Sequence, residues 1–345
     1  LLSNNAGWTS MSTHLDFTNL RKDFPVLERQ VHGHPLVYLD NAATSLKPWP
    51  VIRAMERYFT HDTANIHRGV HFLSEEGTRQ YEETRKSVCS FINAKNTSEI
   101  IFTKGTTESI NLVAQSWGIN FLKTDDVVLL STLEHHSNIV PWQLTAQKVG
   151  ASVVEIPITR EGDIDLVAYT KLLTQYGNKV KMVAITHISN GIGTVNPIKK
   201  MIDLAHQAGA LFLVDGAQAI AHTSVDVQKL DCDFYVFSAH KALGPTALGV
   251  LYGKEALLEK IPPYQGGGDM INIVTFAKTT YNDLPHKFEA GTPPIAEGIA
   301  FKAALEYLQH LGLEKIATYE QTLTLYALER LNDIPTVQII GAPQE

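Results

Sequence analysis

Phe234-Tyr235-Val236-Phe237-Ser238-Ala239-His240-Lys241 sets four large apolar residues in a row and then turns abruptly polar. A strand with one wet face alternates apolar and polar residues, so an unbroken apolar run is what a strand covered on both faces requires. Working outward, residues 100–102, 127–130, 153–158, 182–186, 211–214 and 249–252 read as further strands bounded by turn residues. Helical spacing lies between them. Ile110, Val113, Ala114 and Trp117 fall at i, i+3, i+4 and i+7, and Met201, Leu204 and Ala205 repeat the pattern ahead of Gly209. Strand alternating with helix predicts an α/β domain, a three-layer α/β/α sandwich around a mostly parallel sheet.

Residues 299–331 predict a nearly continuous helical stretch with Tyr307, Leu311, Leu323, Tyr326 and Leu331 at its apolar positions. The change of pattern after Gly291-Thr292-Pro293-Pro294 marks the start of a second, smaller α+β domain. The expected division is a non-native or read-through leader over 1–10 with Met11 as the true start, an N-terminal segment over 11–45, a large domain over 46–290, and the beginning of a small domain over 291–345. Val337-Gln338-Ile339-Ile340 reads as a strand, and the stop soon after it reads as a truncation.

Composition narrows the function classes. Lys plus Arg is 29 against 36 Asp plus Glu, a formal net charge of −7, which lacks the basic footprint of a nucleic-acid or anionic-membrane binder. With 44% hydrophobic and 19% charged residues the chain is an ordinary globular mixture. No run approaches the ~18 apolar residues of a spanning helix, and no export leader is evident. Two cysteines, Cys89 and Cys232, exclude a disulfide framework and a cysteine-rich metal centre. A soluble, cytoplasmic protein is expected.

In such sheets ligands bind beyond the carboxyl ends of the strands. After 100–102 comes Thr103-Lys104-Gly105-Thr106-Thr107-Glu108: a tight turn, two hydroxyls and a helix start, suited to an anion, although a threonine helix cap reads equally well from these residues alone. After 211–214 comes Asp215-Gly216-Ala217-Gln218, whose carboxylate needs a cation in a closed site or merely caps a turn. Ser238-Ala239-His240-Lys241 ends the opening strand with an amine flanked by small residues, poorly placed for solvent and so in need of a partner or a covalent role, unless it is a snorkelling surface lysine. Glu134-His135-His136 follows 127–130 and offers an imidazole that stacks or moves protons. His67 and His71 stand four apart, but no HExxH motif accompanies them among 14 histidines, so no metal site is expected. Pyridoxal 5'-phosphate unites the pieces: a phosphate for the Gly-Thr-Thr turn, a ring nitrogen for Asp215, a ring face for His135 and an aldehyde for Lys241.

The sequence resembles the class V aminotransferase-fold enzymes (fold-type I pyridoxal-phosphate enzymes), and closely the SufS-type, or group II, cysteine desulfurases. The matching runs are Tyr38 to Thr44, Asn65 to His71, Glu134 to Trp142, Asp215 to Gln218, Leu230 to Ser238 and Phe288 to Pro293. The resemblance extends from about Asp16 to the last residue.

The resemblance implies that Lys241 bonds the cofactor aldehyde and later moves the Cα proton. It implies that Asp215 keeps the ring nitrogen protonated, that Gln218 reaches the phenolic oxygen, and that His135 stacks on the ring and assists proton transfer. Thr106, Thr107, Ser238 and His240 would hold the phosphate, Thr292 would reach the phosphate of a neighbouring subunit in a homodimer, and Asn190, His67 and Arg68 would line or adjoin the substrate pocket. The implied reaction converts L-cysteine to L-alanine and passes sulfur, as a persulfide, to an acceptor protein of the SufE/SufU type for iron–sulfur cluster assembly. The segment that carries the family's nucleophilic cysteine is missing from these residues. Cofactor binding with negligible cysteine turnover is therefore expected, and neither Cys89 nor Cys232 is expected to stand in. The alternatives are a selenocysteine lyase, a related class V lyase acting on another substrate, or a non-catalytic cofactor-binding scaffold.

Overall fold

The computed structural model describes residues 17–341. The expected leader over 1–10 lies outside the described residues. Each of the seven expected strands forms, and together they make one sheet: β1 (Ile100–Thr103), β2 (Val127–Ser131), β3 (Ser152–Ile156), β4 (Val180–Thr186), β5 (Leu211–Asp215), β6 (Phe234–Ser238) and β7 (Gly249–Gly253), in the spatial order β1-β7-β6-β5-β4-β2-β3. The strands from β6 across to β3 pair in parallel, while β7 runs antiparallel to both β1 and β6.

Strand side chains alternate between the sheet's two faces, and each face has its own apolar layer. Val183, Ile185, Phe212, Val214, Tyr235 and Phe237 join one layer with residues of helices α1 (Trp49–Arg57), α2 (Phe72–Phe91), α5 (Leu166–Tyr176), α6 (Ile198–Gln207) and α7 (Ile295–Leu311). Met182, Ala184, Leu213, Phe234 and Val236 face the other, with residues of α3 (Thr106–Val113) and α4 (Val140–Val149). This is the three-layer α/β/α arrangement, and it explains the unbroken apolar runs. The helical spacing also holds: Ile110, Val113, Ala114 and Trp117 are all buried.

The turn at Gly291 leads into α7, whose Ala300, Phe301, Ala304 and Leu305 belong to the same layer as the sheet. Gly312, at φ +85°, separates α7 from α8 (Leu313–Asn332). Leu323, Tyr326 and Leu331 on α8 are exposed. The strand expected at Val337-Gln338-Ile339-Ile340 does not form: the segment has no ladder partner, Val337 is 42% and Ile340 69% exposed, and β-branched composition alone makes no strand.

Candidate active site

The carboxyl ends of β1, β4, β5 and β6 open onto a cavity of about 490 Å³. Thr106, Thr107, His135, Asn190, Asp215, Gln218, Ser238, His240 and Lys241, nine of the twelve residues named from sequence, line it. Asp40, Ala42 and Ala43 from the N-terminal segment close one side.

One end is built from hydroxyls and a helix start. The N-cap of α3 is Gly105, which has no side chain to cap the helix, so a threonine cap does not occupy that position. The Thr106 N–H donates to Ser238 Oγ at 2.8 Å, and the two hydroxyls of Thr106 and Ser238 lie 2.8 Å apart. This close seam needs glycine: a Cβ on Gly249 would meet the backbone of Gly105 at 2.3 Å. Half-buried His240 is held toward its neutral form by desolvation, then by the charges of Lys241 and Lys47.

Toward the sheet, Asp215 is 3% exposed and accepts the Ala217 N–H at 3.0 Å. Burial pushes its carboxyl up to about 6, against the pull of that N–H and of Lys241. Burial likewise lowers the Lys241 amine, with Asp215 opposing, so the two groups perturb one another across the cavity. His135 caps a short turn: its Nδ1 accepts the Ser137 N–H at 3.1 Å and lies 2.8 Å from Ser137 Oγ. An Nδ1 that accepts an N–H carries no proton, so the neutral ring keeps its proton on Nε2. Burial, then Lys241 and His136, holds the ring neutral. Gln218 donates one amide N–H to Ala42 O at 2.8 Å, leaving its second for a ligand.

Three residues named from sequence lie elsewhere. Thr292 lines a smaller cavity with Tyr264, Gln265 and Glu108. Arg68 pairs with Asp269. His67, at φ 68°, places Nε2 3.1 Å from Glu82 Oε1 and its ring centroid 5.0 Å from that of His286. His67, Glu82 and His286 thereby bring potential ligand atoms within 4.8 Å of one another, a grouping the His67–His71 spacing did not reveal. Glu82 is already engaged by the fully buried Arg85 at 2.9 and 3.2 Å, and Arg85 also pairs with Glu289 at 2.7 and 2.9 Å.

Sequence reasoning gave Glu134 no role. It is buried at the junction of β2 and β4, accepting from Ser131 Oγ at 2.5 Å, the Thr186 N–H at 3.0 Å and Asn138 Nδ2 at 2.6 Å. It ties two strand ends together directly before His135. Burial outweighs these donors and, with Asp215 adding repulsion, raises its carboxyl to about 8. Neither cysteine reaches the cavity: Cys232 is fully buried in the apolar layer, and Cys89, on α2, donates to Ala94 O.

The donor set fits a phosphate at one end and a protonatable ring between a carboxylate and an amine, so pyridoxal phosphate suits the residues present. The class-V aminotransferase family model matches residues 37–345. The chain is 50% identical over 325 residues to a cysteine desulfurase of Escherichia coli, covering 94% of this chain and 79% of that protein. It is 48% identical over 326 residues to a cysteine desulfurase of Synechococcus elongatus, where it spans about half (52%) of the relative's length. An apo cysteine desulfurase structure from Thermococcus onnurineus superposes with a TM-score of 0.87 at 39% identity, covering 94% of this chain and 78% of that one.

Proposed function

We propose that this chain, which belongs to the class-V aminotransferase family and within it to the cysteine desulfurases, uses its cavity to bind pyridoxal phosphate and activate L-cysteine, whose sulfur would pass to an attacking thiolate as a persulfide while the carbon left behind takes a proton to give L-alanine. The observation that carries the reading is the meeting in one cavity of Lys241, Asp215, His135 and the hydroxyl-lined start of α3. When bound, the cofactor supplies an aldehyde for an amine and a ring that accepts the electron pair left as a Cα proton departs.

The chain's own groups divide the remaining work. Thr106, Thr107, Ser238 and His240 would hold the phosphate at the start of α3. Asp215 would hold a proton on the ring nitrogen, whose positive charge would offset the burial that raises its carboxyl. Lys241, its amine shifted toward neutrality, carries the Cα proton at Nζ. His135 would stack on the bound ring and could offer its Nε2–H for proton transfer, while Asn190 and the second Gln218 N–H would orient bound groups.

The thiol that accepts sulfur is neither Cys89 nor Cys232, since neither lines the cavity. The motif runs of the SufS-type group support passage of sulfur to a SufE/SufU-type acceptor for iron–sulfur assembly. They also support a homodimer in which Thr292 serves the neighbouring site and His67 and Arg68 adjoin the substrate pocket. No described helix is long and apolar enough to cross a membrane.

The test is Cα-proton exchange of L-alanine and L-cysteine in heavy water by the cofactor-loaded chain, with alanine release from cysteine and selenocysteine measured alongside. Exchange that depends on Lys241 is expected. A loaded chain that exchanges neither amino acid would overturn the reading.

A further inference from the structure

One peptide oxygen at the cavity wall collects four donors. The His240 carbonyl accepts the Ser45 N–H at 3.1 Å, Thr44 Oγ1 at 3.2 Å, Ser45 Oγ at 2.9 Å and Lys47 Nζ at 2.9 Å. Ser45 Oγ in turn accepts the Leu243 N–H at 2.9 Å, and Lys47 Nζ donates to Ser45 O at 2.6 Å. A carbonyl has two lone pairs, so four donors converging on one is far more than satisfying a buried acceptor requires. The peptide they grip joins His240, at the phosphate end, to Lys241, at the amine end.

Lys47 is an unusual choice for this place. Its partners here are two carbonyls and, at 3.4 Å, the Ser45 hydroxyl. Desolvation accordingly lowers its amine to about 8, without an opposing carboxylate. Burying a lysine on neutral oxygens costs stability that a glutamine or methionine would not, and a charge-assisted hydrogen bond is roughly twice as strong as a neutral one.

We infer that Lys47, with Ser45, is a positioning residue for the reaction: its ammonium clamps the His240–Lys241 peptide so that the Lys241 side chain swings from a fixed base. Lys47 does not line the cavity and touches no reacting atom. The proton-carrying atom of Lys241 must reach the Cα position repeatedly, and a misplacement of about 1 Å can cost 10²-fold in rate. The inference rests on Lys241 being the amine that bonds the aldehyde.

The experiment compares wild type, Lys47→Met, Lys47→Arg and Ser45→Ala as cofactor-loaded full chains. Cα-proton exchange of L-alanine in heavy water gives kcat and KM, borohydride reduction with peptide mapping gives the labelled lysine, and fluorescence titration gives cofactor affinity. Lys47→Met is expected to lower kcat at least tenfold with KM and cofactor affinity within threefold, and the label stays on Lys241. Lys47→Arg, which keeps a cationic donor, is expected to recover most of the kcat. Amide hydrogen exchange across residues 239–244 is expected to quicken in Lys47→Met and not in Lys47→Arg. If Lys47→Met does not fold, Ser45→Ala reads the same clamp and is expected to lower kcat with KM held. A Lys47→Met or Ser45→Ala kcat within threefold of wild type would overturn the inference, as would loss that falls on cofactor affinity instead. Wild-type label on a lysine other than Lys241 would instead overturn the underlying assignment.

Discussion

Asp215→Asn separates what the cavity costs the empty chain from what it contributes to the loaded one. Asp215 is almost wholly buried, and its carboxyl rises from 3.8 to about 6 because burial disfavours the charge more than the Ala217 N–H and Lys241 favour it. At 1.36 kcal/mol per pKa unit, about two units correspond to about 3 kcal/mol held against the fold once the group ionises. The folded-state pKa lies above the unfolded one. The penalty is therefore absent below about pH 3.8, grows through the interval to about pH 6, and is fully present above it. Asparagine keeps an oxygen for the Ala217 N–H and carries no charge. In the cofactor-free chain, Asp215→Asn is thus expected to raise the unfolding temperature by several °C at pH 8 and by about half as much at pH 5. In the loaded chain the sign reverses: the carboxylate meets the protonated ring nitrogen, and the variant forfeits that pairing. The assay is thermal unfolding followed by circular dichroism, with and without pyridoxal phosphate, at both pH values. A variant that destabilises the empty chain at pH 8, or that gains as much from cofactor as wild type, would refute the reasoning.

Other perturbations follow from the same geometry. Glu134, raised from 4.5 to about 8, favours the protonated form in the fold, so its contribution is lost as pH rises through that interval. Wild type is expected to lose roughly 2–3 kcal/mol from this group between pH 6 and 8.5. Urea denaturation of Glu134→Gln should lack that slope, and parallel pH profiles would count against it. Arg85→Met strands Glu289 and Glu82 around an empty centre and is expected to cost about 3–5 kcal/mol; a change below about 1 kcal/mol in urea would mean the network is idle. Replacing both Cys89 and Cys232 with alanine is expected to leave Cα-proton exchange within threefold of wild type, since neither thiol reaches the cavity. A loss beyond tenfold would restore one of them to the chemistry.

The sheet was legible because burial on both faces writes itself as apolar runs in its central strands; all seven expected segments became strands, including the half-exposed edge strand β3, whose run Glu155 interrupts. The core of the site was legible for a related reason. Thr106, Asp215, Ser238 and Lys241 each stand at or just past a strand's carboxyl end, where topology brings short sequence motifs together. What escaped notice is held by contacts between distant positions. Lys47 precedes a proline and reads locally as a surface lysine, yet its partner at the His240 carbonyl is 193 positions away. Glu134 reaches Thr186 across 52 positions, and Arg85 reaches Glu289 across 204. Composition misled at 337–340, because a strand needs a neighbour to pair with as well as β-branched residues. His67, Arg68 and Thr292 do not line the cavity, a separation that local spacing does not encode.

The account turns on the amine at 241 and the carboxylate at 215 facing one ring. Borohydride reduction of the cofactor-loaded chain, followed by peptide mass mapping, tests this most directly. The label is expected on Lys241 and is expected to vanish in Lys241→Ala. A label on another lysine, or one that persists unchanged in Lys241→Ala, would contradict it.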